Sequence, residues 1–210
     1  MGDDGTGLRQ RKKDETRRRI SGVAVDMFAE RSFDRVRVAE IARVAEVSEA
    51  TVYNYFPTKE DLVYAGMESY EARLLDAVRT RAPGTTVLGA FRDFVLQPRG
   101  ALGTADPESM TQIATIARVI AESSALRTRE QELFDRFVHE LADLIAEERG
   151  AQPDDIEPWV VANALMGVNR AMTKAVHHDA RAGRTGQQIA RDVLDQGRRA
   201  LEALEQGSTG

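Results

Sequence analysis

Residues 38 to 56, VAEIARVAEVSEATVYNYF, leave the chain little choice of local fold. Val38, Ile41, Ala42 and Ala45 fall at i, i+3, i+4 and i+7, which is one apolar face of a helix. Val47 follows, then Ser48, whose hydroxyl can accept a bond from a free backbone N–H and so cap a second helix. That second helix is brief: Thr51, Val52, Tyr53, Tyr55 and Phe56. Pro57 closes it by disfavouring the helical region for the residue before it. Two short helices joined by a tight turn make a helix-turn-helix. In such a motif the first residues of the second helix reach base edges in the major groove of DNA. Here those residues are Glu49, Ala50, Thr51 and Asn54. Ala50 and Thr51 can meet a thymine methyl, and Asn54 can bond bidentately to adenine. The same stretch also fits a helical hairpin buried in a core, so its surroundings decide.

Charge comes first among those surroundings. The net charge of −5 looks wrong for a polyanion's partner. Leu8 to Arg19, however, sets Arg9, Arg11, Lys12, Lys13, Arg17, Arg18 and Arg19 against only Asp14 and Glu15, a local +5 that leaves the rest at −10. A basic patch on an acidic protein is the footprint of a nucleic-acid site, the alternative being an ordinary solvated face. From about Lys13 to Glu30, Ile20, Val23, Ala24, Met27 and Phe28 mark an amphipathic helix. Arg17 and Arg18 lie on its other face, where they oppose the helix dipole. A phosphate backbone would give them a purpose.

At 210 residues, one or two domains are expected, and 42% hydrophobic with 30% charged residues is a soluble globular composition. With no cysteine there is no disulfide framework, cysteine-bound zinc or thiol nucleophile. No apolar run approaches the roughly 18 residues that span a bilayer. No signal-peptide core is visible. The expectation is a cytoplasmic protein with no membrane partner.

Residues 13 to 62 resemble the DNA-binding domain of the TetR family of bacterial transcriptional regulators. The resemblance rests on Ala24, Phe28, Phe33, Val38, Ile41, Ala42, Ala45, Val47, Ser48, Thr51, Val52, Tyr53, the run Tyr55-Phe56-Pro57, Lys59, Glu60 and Leu62. It implies an all-α chain of about nine helices: a three-helix N-terminal domain joined through a fourth helix to a helical ligand-binding and dimerising domain. It also implies Tyr53 and Tyr55 as phosphate or groove contacts, Lys59 as a phosphate contact, and Thr51 as a backbone or base contact. Residues 49, 50 and 54 fall where specificity varies. With Arg9, Arg11, Lys12, Arg17 and Ser48, these form the expected DNA-binding set. Tyr53 and Tyr55 are two apart and cannot share a helix face, so at least one should point outward. Three positions depart from the family pattern. Ser32 and Glu46 stand where glycine is usual, and Arg37 replaces a threonine cap. A left-handed conformation at Ser32 would cost about 1–2 kcal/mol.

Beyond about residue 83 every strong pattern is helical. Val87 to Leu96 reads as a short helix, Pro98 to Pro107 as a loop, and Met110 to Ala121 as a buried helix. A helix follows from about Arg127 to Arg149 on the stripe Phe134, Phe137, Val138, Leu141 and Ile145, with Gly150 as its stop. Two more run from Pro153 to about Arg181 and from about Thr185 to Gln206. This last pair could complete a four-helix bundle with a second copy, and in the resembled family it forms the dimer interface. The expected organisation is a flexible tail at 1–12, a helix-turn-helix domain at 13–57, a ligand-binding and dimerisation domain at 58–206, and a tail at 207–210.

A pocket between helices would be lined by apolar side chains and a few polar groups. The candidates are Met67, Phe91, Met110, Ile113, Phe134, Phe137, Trp159, Asn163, Met166 and Arg170, although Met and aromatic stripes also serve as plain core. Arg170 could hold a carboxylate or phosphate, or sit in an interhelical ion pair. The expected effector is therefore mainly apolar, with room for an acidic group.

No G-x-S-x-G, P-loop, dinucleotide-binding glycine pattern or H-E-x-x-H occurs, so no catalytic residue, metal or cofactor is expected. His177 and His178 diverge by about 100° on a helix, and a solvent-facing pair is the expectation. The chain thus reads as a sequence-specific DNA-binding regulator: a dimeric repressor on a palindromic operator, released by a small molecule. The alternative is a helical small-molecule-binding protein or enzyme whose N-terminal domain no longer binds DNA, and the departures at Ser32, Arg37 and Glu46 are its support.

Overall fold

The computed structural model describes residues 4–98, 103 and 107–207. Parts of the two expected tails (1–3 and 208–210) and most of the expected loop (99–102 and 104–106) lie outside the described residues. The described residues form nine α-helices: α1 Asp4–Arg31, α2 Val38–Val44, α3 Glu49–Tyr55, α4 Asp61–Arg79, α5 Val87–Val95, α6 Pro107–Glu122, α7 Ser124–Arg149, α8 Glu157–Arg181 and α9 Gly186–Gly207. A single 3-10 turn, Phe33–Arg35, separates α1 from α2. The chain divides into two compact units, one of residues up to Met67 with Arg118–Arg129, the other of Glu68–Ala117 with Glu130 onward.

In the first unit, Ile20, Ala24 and Phe28 of α1 are fully buried, as their helical spacing requires. They share the core with Phe33, Ile41 and Ala42, and with Val52 and Phe56 on and just after α3. The Phe28 and Phe33 rings meet at 4.9 Å between centroids in a tilted arrangement. The unit boundary falls after Met67, ten residues beyond the expected end of the helix-turn-helix domain. Leu62 and Tyr64 of α4 are buried, the Ser21 hydroxyl donates to the Leu62 carbonyl at 2.7 Å, and the Tyr64 hydroxyl donates to the Leu126 carbonyl at 2.7 Å. These contacts hold the first turns of α4 in the first unit.

Local chemistry sets the helix ends. Ser48 caps α3 as expected, accepting the Thr51 N–H at 3.0 Å. Thr58 and Asp61 cap α4 reciprocally: the Asp61 N–H donates to the Thr58 hydroxyl at 3.3 Å, and the Thr58 N–H donates to the Asp61 carboxylate at 3.0 Å. Asp61, only 3% exposed, also receives both Arg129 Nε at 2.9 Å and Arg129 Nη2 at 2.8 Å, which ties α4 to α7 within the unit. Thr185 and Gln188 repeat the reciprocal cap at α9.

Four helix starts differ from the sequence reading, α6 by beginning at Pro107 rather than Met110. The first helix starts at Asp4 and takes in residues expected in the flexible tail, because Arg, Gln and Lys between 9 and 13 are all good helix formers. The seventh starts at Ser124, because Ser123 alone makes the break: it is buried, and its hydroxyl accepts the Leu126 N–H at 3.4 Å. The eighth starts at Glu157, with Pro158 in its first turn, where a missing N–H costs nothing. Pro153 to Asp155 form a turn, closed by the Gln152 N–H donating to the Asp155 carboxylate at 2.7 Å.

The second unit buries Leu74 and Leu75 of α4, Phe91 and Phe94 of α5, Leu133, Phe137 and Leu141 of α7, and Leu165 and Met166 of α8. Helices α8 and α9 pack closely. A Cβ on Gly197 would lie 2.5 Å from the Met172 sulfur, so glycine permits that approach. His177, expected to face solvent, is half-buried, and its burial lowers its pKa; His178 is exposed.

Candidate functional site

Three backbone facts form the candidate reading head. Helix α2 ends in a double hydrogen bond, Val47 N–H to the Ala42 carbonyl at 3.0 Å and Glu46 N–H to the Arg43 carbonyl at 3.3 Å. Glu46 takes the left-handed position of that motif, with φ 53°. Helices α7 and α8 end in the same way, but with Gly150 and Gly183 at the left-handed position. Ser32 also has positive φ, at 67° with ψ 153°, a region that almost only glycine occupies. Both departures from the family pattern therefore keep the glycine-like geometry and bear its strain. The third departure is compensated. Arg37 offers no side-chain cap to α2, but the Glu40 carboxylate accepts the Arg37 N–H at 2.9 Å and the Arg31 guanidinium at 2.9 Å. The Arg37 backbone bond and then the Arg31 bond hold the Glu40 pKa below its usual value.

On α3 the inner and outer faces separate cleanly. Val52 is buried, while Glu49, Ala50, Tyr53 and Asn54 are exposed. Tyr53 is the outward tyrosine, at 47% exposure, and Tyr55 is half-buried. Thr51 is half-buried, and its hydroxyl lies 2.7 Å from that of Ser48, so its methyl is the part left for a base. Arg9, Arg11 and Lys12 are exposed on the first turns of α1. Arg17 is turned inward: it donates to the Tyr55 carbonyl at 3.4 Å, and its guanidinium lies 4.8 Å from the Phe56 ring centre. It braces α1 against the end of α3.

Lys59 is placed differently from a free phosphate ligand. Its ammonium donates to the Phe33 carbonyl at 2.6 Å and sits 4.2 Å from the Phe33 ring centre and 5.6 Å from that of Phe28. Burial lowers its pKa, against the opposing pull of Asp34 and Glu60. The side chain is a strut between the start of α4 and the turn after α1. Its aromatic surroundings were legible only as separate core residues.

Of the ten effector candidates, Met67 closes the first unit, and the other nine belong to the second. Phe91 and Met166 are fully buried core. Met110 and Ile113 pack with Ala180, Ile189 and Val193 in a core cluster. Trp159 is 51% exposed, although its neighbour Pro158 is buried. Asn163 donates back to the Trp159 carbonyl at 2.9 Å. Phe134 and Arg170 do meet, with the guanidinium 4.7 Å from the ring centre. Arg170 also donates to the Gln131 side-chain carbonyl at 2.9 Å and pairs with Glu130 at 3.9 Å. The interhelical ion pair is thus the arrangement it adopts. Sequence reading missed Glu71 of α4, which is 5% exposed. Its burial, opposed by Arg136 and reinforced by Glu68 and Glu130, pushes its pKa up to about 8. A lone glutamate in a helical pattern carries no signal of burial.

Residues 20–65 match the family model for bacterial regulatory proteins of the tetR family, and residues 86–207 match the model for the MftR C-terminal domain. The chain belongs to the TetR family. Among curated relatives, the mycofactocin biosynthesis regulator MftR of Mycobacterium tuberculosis is 26% identical over 161 residues, which cover 75% of this chain and 78% of MftR. The transcriptional regulator TcmR of Streptomyces glaucescens is 27% identical over 178 residues, covering 81% and 77%. Among solved structures, a TetR-family regulator from Syntrophomonas wolfei aligns over 90% of this chain and 96% of its own, with TM-score 0.56 and 19% identity. The complex of SmeT with triclosan aligns over 89% and 91%, with TM-score 0.52 and 16% identity. This TetR-family chain is a DNA-binding transcriptional regulator with an all-α fold. No helix among the described residues is long and apolar enough to cross a membrane.

Proposed function

We propose that the protein is a cytoplasmic, dimeric repressor that binds a palindromic operator and leaves it when a small, mainly apolar effector occupies the second unit. The observation that carries this reading is the outer face of α3. Glu49, Ala50, Tyr53 and Asn54 stand exposed on a helix anchored from behind by buried Val52. Tyr53 would meet a phosphate or the groove wall, and Asn54 would read adenine. Arg9, Arg11 and Lys12 would add sequence-independent phosphate contacts. The Glu49 carboxylate would accept from a cytosine amino group and repel phosphates elsewhere, which favours selectivity over affinity.

A second copy would cover the apolar start of α8, where Ile156, Trp159 and Val160 are 76%, 51% and 51% exposed. Helix α4 carries residues of both units and is the natural element for an effector to shift. The effector must bind the DNA-incompetent state more tightly, or it shifts nothing. Relatives named as transcriptional regulators support the reading.

The test is operator binding by variants, followed by fluorescence anisotropy over a series of stated salt concentrations. Asn54→Ala should lose about 1–3 kcal/mol on the cognate site and relax the choice of base at one position. Arg11→Ala should weaken all sequences alike and lower the salt slope by about one. Full operator binding by Asn54→Ala and Tyr53→Ala together would rule α3 out as the reading head.

A further inference from the structure

We propose that Glu71 anchors an effector site in the second unit that takes a ligand bearing a protonated amine. The proposal rests on the reading of the protein as an effector-controlled regulator, and it names the chemistry of the effector.

Glu71 is 5% exposed, and its Oε2 finds no hydrogen-bond partner. Buried carboxyl groups are normally satisfied, so an orphan of this kind calls for an explanation. Two of the three charges that bear on it are like charges. Glu68 on the same helix and Glu130 on α7 bear on it with like charge, and Arg136 on α7 with opposite charge. Arg136 is already taken: it pairs with Glu68 at 3.1 Å and lies 4.9 Å from the Phe137 ring centre. Arg170 of α8 is committed to Glu130, Gln131 and the Phe134 ring. Both arginines are thus engaged by a neighbouring glutamate, and the carboxyl with the orphan oxygen is the most deeply buried of the three.

A ligand carboxylate entering here would face three acidic groups and two engaged arginines. An ammonium would instead give Glu71 its counter-ion and a donor for Oε2. The Arg170 Nε is a second buried atom without a partner in this unit. The acidic-group effector expected from Arg170 is thereby replaced by a basic one. Binding also has a proton signature. The free site holds Glu71 protonated at pH 7, because burial pushes its pKa up to about 8. An arriving cation favours the carboxylate, so the proton passes to the buffer as the complex forms.

The experiment uses the full chain and three probes of matched shape: 4-phenylbutylamine, 4-phenylbutanol and 4-phenylbutyrate. Calorimetry at pH 7 in two buffers of different ionisation enthalpy gives both affinity and proton count. The amine should bind at least tenfold more tightly than either other probe and release close to one proton. Glu71→Gln, which mimics the neutral acid, should lose at least tenfold in amine affinity and all of the proton release. Its affinity for the alcohol and for the operator should not change, which also shows that it folds. The proposal is overturned if the amine does not bind, if the butyrate binds as well, or if Glu71→Gln binds the amine as the parent does. An operator bound by a protein that takes no amine sinks the site and leaves the regulator standing. Amine binding without any operator does the reverse.

Discussion

Ser32 and Glu46 bear strain that a glycine would remove. At φ 67° and 53° each side chain sits where a Cβ is disfavoured. Relief of roughly 1–2 kcal/mol is partly offset by glycine's greater freedom in the unfolded chain. Ser32→Gly and Glu46→Gly should each raise stability by about 0.5–1 kcal/mol in urea titrations followed by circular dichroism. A loss of stability in both would contradict the strain argument. Glu71 makes a separate prediction in pH. Its folded pKa, about 8, lies above the ordinary 4.5, so the folded protein holds a proton that the unfolded chain releases. The contribution is therefore fully present below 4.5 and is lost as pH rises through 8. Wild type should lose about 1.4 kcal/mol per pH unit relative to Glu71→Gln across that window. Parallel stability curves for the two proteins would show that Glu71 titrates normally.

At the scale of elements, what joins one helix to another is often a single polar group. Asp61 caps α4, receives two bonds from Arg129 and is 3% exposed. Arg129→Met would leave that carboxylate buried without its counter-ion, at a cost of about 3 kcal/mol. Thermal unfolding should show it, and an unchanged midpoint would mean that water replaces the guanidinium. The helices themselves were legible from apolar spacing and from end signals such as Ser48 and Gly150, all local. The start of α8 was not. Pro153 and Pro158 both look like first-turn prolines, and only the Asp155 turn decides between them. The exposed face of α3 followed from the burial of Val52 and Phe56. The inward turn of Arg17 and Lys59 did not, because a long basic side chain reaches either solvent or a carbonyl, and the tertiary partners decide. Periodicity names buried positions but does not separate a pocket wall from a packed core, as Met110 and Ile113 illustrate.

For the whole molecule, the central claim is that a protein of net charge −5 recognises one DNA sequence, in two symmetric copies. Its charge is divided to allow this, with exposed Arg9, Arg11 and Lys12 on a helix beside the reading head and most acidic residues elsewhere. A twofold pair of α3 helices would read half-sites about 34–36 Å apart or a multiple of that, so the operator should be a palindrome. The most direct measurement is selection of bound duplexes from a random pool by the full chain at a stated salt concentration, since phosphate contacts make affinity salt-dependent. The account predicts enrichment of one palindrome, with half-sites that Asn54→Ala no longer distinguishes from a single-base variant. A folded dimer that enriches no sequence, or only a site without symmetry, would contradict it.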